Sequence, residues 1–209
     1  ADNIVECPDL FKLPVMETGE TLWVLYGGDG KYRIGAFEDF RFIENGHYGH
    51  MDYGNAVYAG QTWSSHPDKT VRHHIAWVRR GGHWNVTVEG NRAFSQCMST
   101  GCVLSLHKTA EGYRLFRNPV EALKGIRESK VAEGTHNIKG NWEISLEIPC
   151  DVMLELDTQA DFKILMEGSH LSYSAESNKI ETEEKSYVLS ERKKLQIRLI
   201  ADMGVNEFF

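Results

Sequence analysis

Thr21-Leu22-Trp23-Val24-Leu25-Tyr26 runs into Gly27-Gly28-Asp29-Gly30 and then into Lys31-Tyr32-Arg33-Ile34-Gly35-Ala36-Phe37. Two runs rich in β-branched and aromatic residues flank a glycine-rich turn, and that arrangement predicts a β-hairpin. Working outward, Ala56-Val57-Tyr58-Ala59 and His74-Ile75-Ala76-Trp77-Val78 are two further short apolar runs of strand length. Polar, turn-forming residues separate them. Short strands at this spacing suit a sandwich or a propeller blade equally well.

The second half changes character. Residues 119–129, Pro119 to Ser129, are the only helix-like stretch: proline stands at the first turn, apolar residues at 120, 123 and 126, and Glu121 near the start. Lys130 to Lys139 is polar and turn-prone and reads as a linker. Beyond it Trp142-Glu143-Ile144-Ser145-Leu146-Glu147-Ile148 alternates with a strict period of two. Similar runs lie at Val152–Leu156, Phe162–Met166 and Leu195–Ile200. Alternation of this kind predicts sheets with one buried and one wet face, so this half reads as a β-sandwich. The chain stops on Asn206-Glu207-Phe208-Phe209, apolar residues just after a strand; a truncated sandwich edge is the expectation.

Composition narrows the function classes. The 209 residues carry 23 Lys+Arg against 30 Asp+Glu, for a net charge of −7, and the basic residues are scattered apart from the short Arg192-Lys193-Lys194 cluster. Nucleic acid is not the expected partner, because phosphate backbones require a concentrated basic face. No apolar run of about eighteen residues occurs, so no membrane span is expected. No signal peptide is visible. The cysteines, Cys7, Cys97, Cys102 and Cys150, lack CxxC spacing and read as free, mostly buried thiols. Among nine histidines, His47, His50, His73, His74 and His83 invite a zinc reading. Their spacing is poor for converging ligands, and His73 and His74 face opposite ways on a strand. No metal and no cofactor are expected. Asn85-Val86-Thr87 fits a glycosylation pattern.

The sharpest local feature is Val5-Glu6-Cys7-Pro8-Asp9-Leu10-Phe11. Proline restricts the residue before it to extended backbone. An acid held there beside a cleft can be kept protonated and act as a proton donor. The alternative is a solvent-exposed strand-end charge at Glu6, with Asp9 capping a turn. Asp52 and Asn55 could hydrogen-bond sugar hydroxyls or simply build the Asp-Tyr-Gly-Asn turn. Trp63 and Trp77 could form apolar walls for a sugar ring, although Trp77, in an apolar strand, fits the core as well. Trp84 reads as core or surface.

Glu6-Cys7-Pro8-Asp9-Leu10-Phe11 resembles the Glu-Cys-Pro motif of glycoside hydrolase family 32, the invertases, levanases and inulinases. Asp52-Tyr53-Gly54-Asn55-Ala56-Val57-Tyr58-Ala59-Gly60-Gln61-Thr62-Trp63 resembles the family's Asp-Tyr-Gly segment leading into Tyr-Ala-x-Gln-Thr-aromatic. His74 to Val78 is similar to the apolar strand ending in tryptophan that follows. Phe94-Ser95-Gln96-Cys97-Met98-Ser99, and Gly112-Tyr113-Arg114-Leu115 through Asn118-Pro119-Val120, resemble the strands that close the propeller. Leu199 to Phe209 resembles the Val-Asp-x-Ser-Ser-x-Glu-Val-Phe strand of the C-terminal sandwich. The pieces occur in the family's order and run nearly end to end.

The resemblance implies an all-β chain: the final blades of a five-bladed β-propeller (1–118), a helix and linker (119–134), and a β-sandwich (135–209). It implies Glu6 as the general acid/base, with Cys7, Asp52, Asn55, Gln61, Trp63 and Trp77 binding substrate. The family's nucleophile motif, Trp-Met-Asn-Asp-Pro-Asn-Gly, and its Arg-Asp-Pro motif are absent from these residues. A retaining glycosidase needs two carboxyl groups about 5–5.5 Å apart, and Glu6 can be only the acid. The expected parent is therefore a retaining β-fructosidase acting on sucrose, levan or inulin. This chain alone is expected to be inactive, with the N-terminal part of the same protein as its partner. Thr100-Gly101-Cys102-Val103-Leu104 and Asp202-Met203-Gly204-Val205 depart from the family pattern. They leave room for a non-catalytic carbohydrate-binding protein. A five-bladed glycosidase of arabinan or xylan fits Glu6-Cys7-Pro8 less well. A polymeric fructan substrate would imply an extracellular or periplasmic location.

Overall fold

The computed structural model describes residue 4 and residues 6–54, 56–63, 66–68, 70–79, 96–166, 169–183, 185–189, 193–202 and 205–209. Among these the chain is all-β. Its strands are β1 (Asp9–Pro14), β2 (Thr21–Tyr26), β3 (Lys31–Glu38), β4 (Arg41–His50), β5 (Val57–Trp63), β6 (Arg72–Val78), β7 (Cys97–Met98), β8 (Cys102–Thr109) and β9 (Gly112–Pro119). After a short 3-10 helix, Glu121–Ile126, come β10 (Cys150–Asp157), β11 (Phe162–Met166), β12 (Ser169–Ser174), β13 (Lys179–Glu181), β14 (Ser186–Val188), β15 (Lys194–Asp202) and β16 (Val205–Phe208). The chain divides into two compact units, Ala1–Val120 and Glu121–Phe209.

The first unit holds two antiparallel sheets, one in the order β1-β2-β3-β4 and one in the order β5-β6-β8-β9, with β7 also pairing with β6. The predicted hairpin is β2 and β3, in register from Trp23 opposite Gly35 to Tyr26 opposite Tyr32. Alternate residues of β1, β2 and β3 point inward, as period-two side-chain placement requires. Phe11, Leu13, Val24, Tyr26, Tyr32 and Ile34 join Val15, Met51, Leu104, Leu106 and Leu115 in one buried cluster. An isolated parallel bridge between Val15 and Leu106 ties the two sheets together, with Met16 N–H donating to the Leu106 carbonyl at 2.9 Å.

The second unit contains a β10-β15-β16 sheet and a β11-β12-β13-β14 sheet, both antiparallel. Leu171, Leu195 and Ile197 are buried between partly buried Leu154, Leu156, Phe162, Ile164, Ile180, Leu189 and Phe208. At one edge Asp151 accepts from Arg198 Nε at 2.8 Å and from Arg127 Nε at 2.9 Å.

Three expectations need correction. Trp142–Ile148, the most strictly alternating run in the sequence, is not a strand. Residues 127–147 hold no helix or strand, and Trp142, Ile144 and Ile148 are exposed. Alternation supplies an apolar face, but a strand also needs a ladder partner, and Pro149 has no N–H to extend one into β10. The helix expected over 119–129 shortens to six residues of 3-10 helix without a buried side chain. Pro119 instead closes β9 opposite Cys102, and with no face to bury, so short an apolar pattern does not sustain an α-helix. The thiols are free, yet only Cys102 is buried and Cys7 is exposed.

Candidate active site

The Gly27-Gly28-Asp29-Gly30 turn collects one rim of the first unit. Gly28 N–H donates to the Glu6 carbonyl at 2.8 Å, and Ala59 N–H donates to the Gly28 carbonyl at 2.7 Å. A Cβ on Gly28 would sit 3.1 Å from Cys7 Cβ and 3.4 Å from Ala59 Cα, so glycine lets the Glu6-Cys7 turn and the start of β5 close onto the hairpin. Cys7 and Ala59 both have positive φ, 47° and 49°. Ala59 sits where the β5–β6 register slips between Tyr58 and Gln61, an extra residue that re-aims the side chains around it.

That local geometry brings Tyr58 to Glu6. The Tyr58 hydroxyl donates to Glu6 Oε2 across 52 residues of sequence, and Glu6 itself is solvent-exposed. Arg79 lies over the Tyr58 ring with its guanidinium carbon 3.7 Å from the centroid. Tyr58 pairs with Trp77 across β5 and β6, and Trp77 is half-buried. On the other side of the turn, Met51 N–H donates to the Gly30 carbonyl at 2.8 Å, which sets half-buried Asp52 beside the same loop. The Gly54 N–H lies 3.5 Å from Asp52 Oδ1, a long turn contact. Asp29 lines this rim as well. Burial pushes its carboxyl up, but hydrogen bonds from Lys31 more than offset that, and its pKa lies below the usual carboxylate value.

A second polar knot fastens the floor. Asp9 does not cap a turn. Its Oδ2 accepts from Thr62 N–H at 3.0 Å and from the Thr62 hydroxyl, while Arg72 Nε donates to Thr62 Oγ1 at 2.6 Å. The edge strands β1 and β5 are thus joined by side chains rather than by a backbone ladder. Beneath them Tyr26 Oη lies 3.3 Å from His74 Nε2. Burial holds the His74 pKa at about 3, aided by the nearby Arg117 charge, so the ring is neutral. A Cβ on Gly60 would sit 2.5 Å from both the Tyr26 hydroxyl and His74 Nε2; only glycine allows β5 to lie this close.

The residues expected to form a site therefore separate. Glu6, Cys7 and Asp52 gather around the glycine turn, and Trp77 stands behind Tyr58. Gln61 is exposed and donates its amide to the Gly60 carbonyl at 3.1 Å. Trp63 stacks on His73, with ring centroids 5.4 Å apart. It stands at the far end of β5, about 17 Å of strand from Tyr58 at ~3.3 Å per residue. Asn55, Trp84, His83 and the Asn85-Val86-Thr87 pattern lie outside the described residues. The local sequence named Tyr58 and Arg79 as neither donor nor stacking partner: the contacts depend on register, and no motif records register.

Comparison with known proteins gives the following. Residues 1–119 match the family model described as the glycosyl hydrolases family 32 N-terminal domain. The extracellular exo-inulinase of Meyerozyma guilliermondii is 25% identical over 157 residues, 68% of this chain and 30% of that protein. A levanase of Bacillus sp. (strain L7) is 30% identical over 148 residues, 64% of this chain and 16% of that protein. The crystal structure of exo-inulinase from Aspergillus awamori superposes with a TM-score of 0.76 at 18% identity, covering 98% of this chain and 49% of that one. Bombyx mori GH32 beta-fructofuranosidase gives 0.68 at 21% identity, covering 98% and 46%. The chain thus spans under a third of the length of these two curated relatives and just under half of the two solved structures.

Proposed function

The chain belongs to glycoside hydrolase family 32, and on that basis we propose that its parent protein hydrolyses β-fructosyl bonds of sucrose, levan or inulin with retention, using Glu6 as general acid and then as general base. The observation that carries this reading is the placement of Glu6: its backbone is tied to Gly28 and its Oε2 accepts the Tyr58 hydroxyl. With Oε2 occupied by a donor, the proton of the acid form sits on Oε1 and is free to pass to the leaving oxygen. As the glycosidic C–O bond breaks, its electron pair goes to that oxygen, which takes the Glu6 proton. A second carboxylate captures the fructosyl carbon as an ester, and water, deprotonated by Glu6, then releases fructose. The nucleophile is supplied by residues outside these 209, whose sequence holds no Asn-Asp or Arg-Asp pair. The 209 residues alone are inactive on this account.

In the finer reading, residues 1–118 are the last blades of a five-bladed propeller, 119–134 a connection and 135–209 a sandwich. Cys7, Asp52, Asn55 and Trp77 border the substrate at the Glu6 rim, Gln61 and Trp63 stand farther along β5 where only a longer chain would meet them, and the protein works outside the cytoplasm on polymeric fructan. In the complete parent, Glu6→Gln should lower fructose release from sucrose and levan by ~10²–10⁴-fold with an unchanged melting temperature. Activity within tenfold of the parent would remove Glu6 from the mechanism. The missing nucleophile motif also supports a second reading, a carbohydrate-binding protein without turnover. Saturable binding of inulin oligosaccharides by the 209-residue chain, with no fructose released by the complete parent, would favour it.

A further inference from the structure

The geometry points to Arg79 as a positioning residue for proton delivery, acting through the Tyr58 ring on Glu6 rather than touching substrate. The inference rests on Glu6 being the acid proposed above. Three observations carry it. The Arg79 guanidinium carbon is 3.7 Å from the Tyr58 ring centroid, the distance of a face-to-face stack, and 6.0 Å from that of Trp77. Arg79 N–H donates to the Ala56 carbonyl at 2.7 Å, which fixes its backbone one residue beyond the Val57–Val78 pair of the β5–β6 ladder. Tyr58 spends its hydroxyl proton on Glu6 Oε2. Among the described residues Arg79 has no carboxylate partner, so the ring face is the described contact of its charge.

The chemistry follows from the order of charges. A cation against an aromatic face is attracted by the ring's negative quadrupole. It also favours electron density on the phenol, which makes the hydroxyl a better donor. Before reaction Tyr58 donates to a neutral carboxylic acid. When the Oε1–H bond breaks and the leaving oxygen takes the proton, Glu6 becomes a carboxylate and the same hydrogen bond becomes charge-assisted, roughly twice as strong. Arg79 therefore strengthens a contact that is worth more after proton transfer than before it. Interactions of that kind raise the rate rather than substrate affinity. The effect depends on how much proton transfer the leaving group needs: large for a sugar alkoxide, small for a nitrophenolate that departs without help.

The test uses the complete parent protein on two substrates, sucrose and a nitrophenyl β-fructofuranoside. Arg79→Ala is expected to lower kcat on sucrose by about 3- to 30-fold, with KM little changed and the nitrophenyl substrate slowed less than ~2-fold. Arg79→Lys, which keeps the charge but loses the planar stack, should fall between parent and Arg79→Ala on sucrose. Tyr58→Phe should show the same leaving-group pattern more strongly, and adding Arg79→Ala to it should cost nothing further, because the two act in series. Equal losses on both substrates would overturn the inference, as would a full additional loss in the double variant. Glu6→Gln, run alongside, separates the two ideas. Read as kcat/KM, which reports only the step in which the leaving group departs, an equal loss on both substrates in Glu6→Gln would put the fault with Glu6 as acid; if it spares the nitrophenyl substrate while Arg79→Ala does not, Arg79 alone is misassigned.

Discussion

The two units of this chain use the same material, antiparallel strands with alternating faces, to different depth. In the first, eleven side chains form one buried cluster, and polar groups are drawn into it: Tyr26 and His74 lie deep inside, and Asp9, Thr62 and Arg72 bind one edge strand to another. In the second, the largest buried cluster is three side chains among partly buried neighbours, and Asp151 with Arg127 and Arg198 forms a polar cluster on the edge strand β10. A catalytic group must be held within about half an ångström of its working position. A deep core with side-chain cross-links can do that, and a shallow one has less to hold with. Glu6, Tyr58 and Arg79 all belong to the deeper unit.

The contrast can be broken by mutation. Leu106→Ala removes a wholly buried side chain at the Val15 bridge and should destabilise the first unit by ~2–5 kcal/mol. Leu165→Ala on the second, where that side chain is 70% exposed, should cost less than ~0.5 kcal/mol. Hydrogen exchange of the strand amides in each unit measures both, and equal costs would erase the distinction.

Acid should also act on the units in sequence. His74 is buried neutral with its pKa lowered from 6.5 to about 3. The unfolded chain therefore binds a proton that the folded one refuses, and stability present above about pH 6.5 is lost on the way down at ~1.4 kcal/mol per pH unit. Asp151 has the opposite chemistry and the same sign. Hydrogen bonds from Arg198, against the opposing push of burial, and then from Arg127 hold its pKa below the usual 3.8. Its contribution is thus intact above about pH 4 and fades only as pH falls through the lowered value. Hydrogen exchange corrected for intrinsic rates should show the first unit losing protection between about pH 6 and 4 while the second holds. Parallel loss in both would contradict it. A further variant, Asp151→Asn, is expected to cost ~1 kcal/mol at pH 7 and to reduce the second unit's loss below about pH 4, read from melting temperatures across that range.

The legible part of the fold was whatever short-range chemistry fixes. Gly27 to Gly30 could only be a turn, and Phe162–Met166 appears as a strand with the expected limits. β4 was invisible because Arg41–His50 is mostly exposed and polar. It forms because β3 offers it a ladder and Arg33 reaches Glu44 across the pair. The opposite error at Trp142–Ile148 has the same root: pattern without partner. For the site, the Glu6-Cys7-Pro8 motif pointed to the residue proposed as the acid, but its hydroxyl donor and the cation behind that donor lay in two other strands' register. Asp9 shows the limit most clearly. Locally it is turn chemistry, and in three dimensions it is the acceptor that joins β1 to β5.

The exposed run before β10 has a consequence for handling this protein. Trp142, Ile144 and Ile148 present apolar surface to water without a ladder on either side, which is the raw material of intermolecular sheet growth. Glu143 and Glu147 stand on the alternate positions and Pro149 follows immediately, so the same seven residues carry their own gatekeepers. Colloidal stability should then hinge on those two carboxylates, and removing them would leave a continuous apolar run open to pairing between molecules.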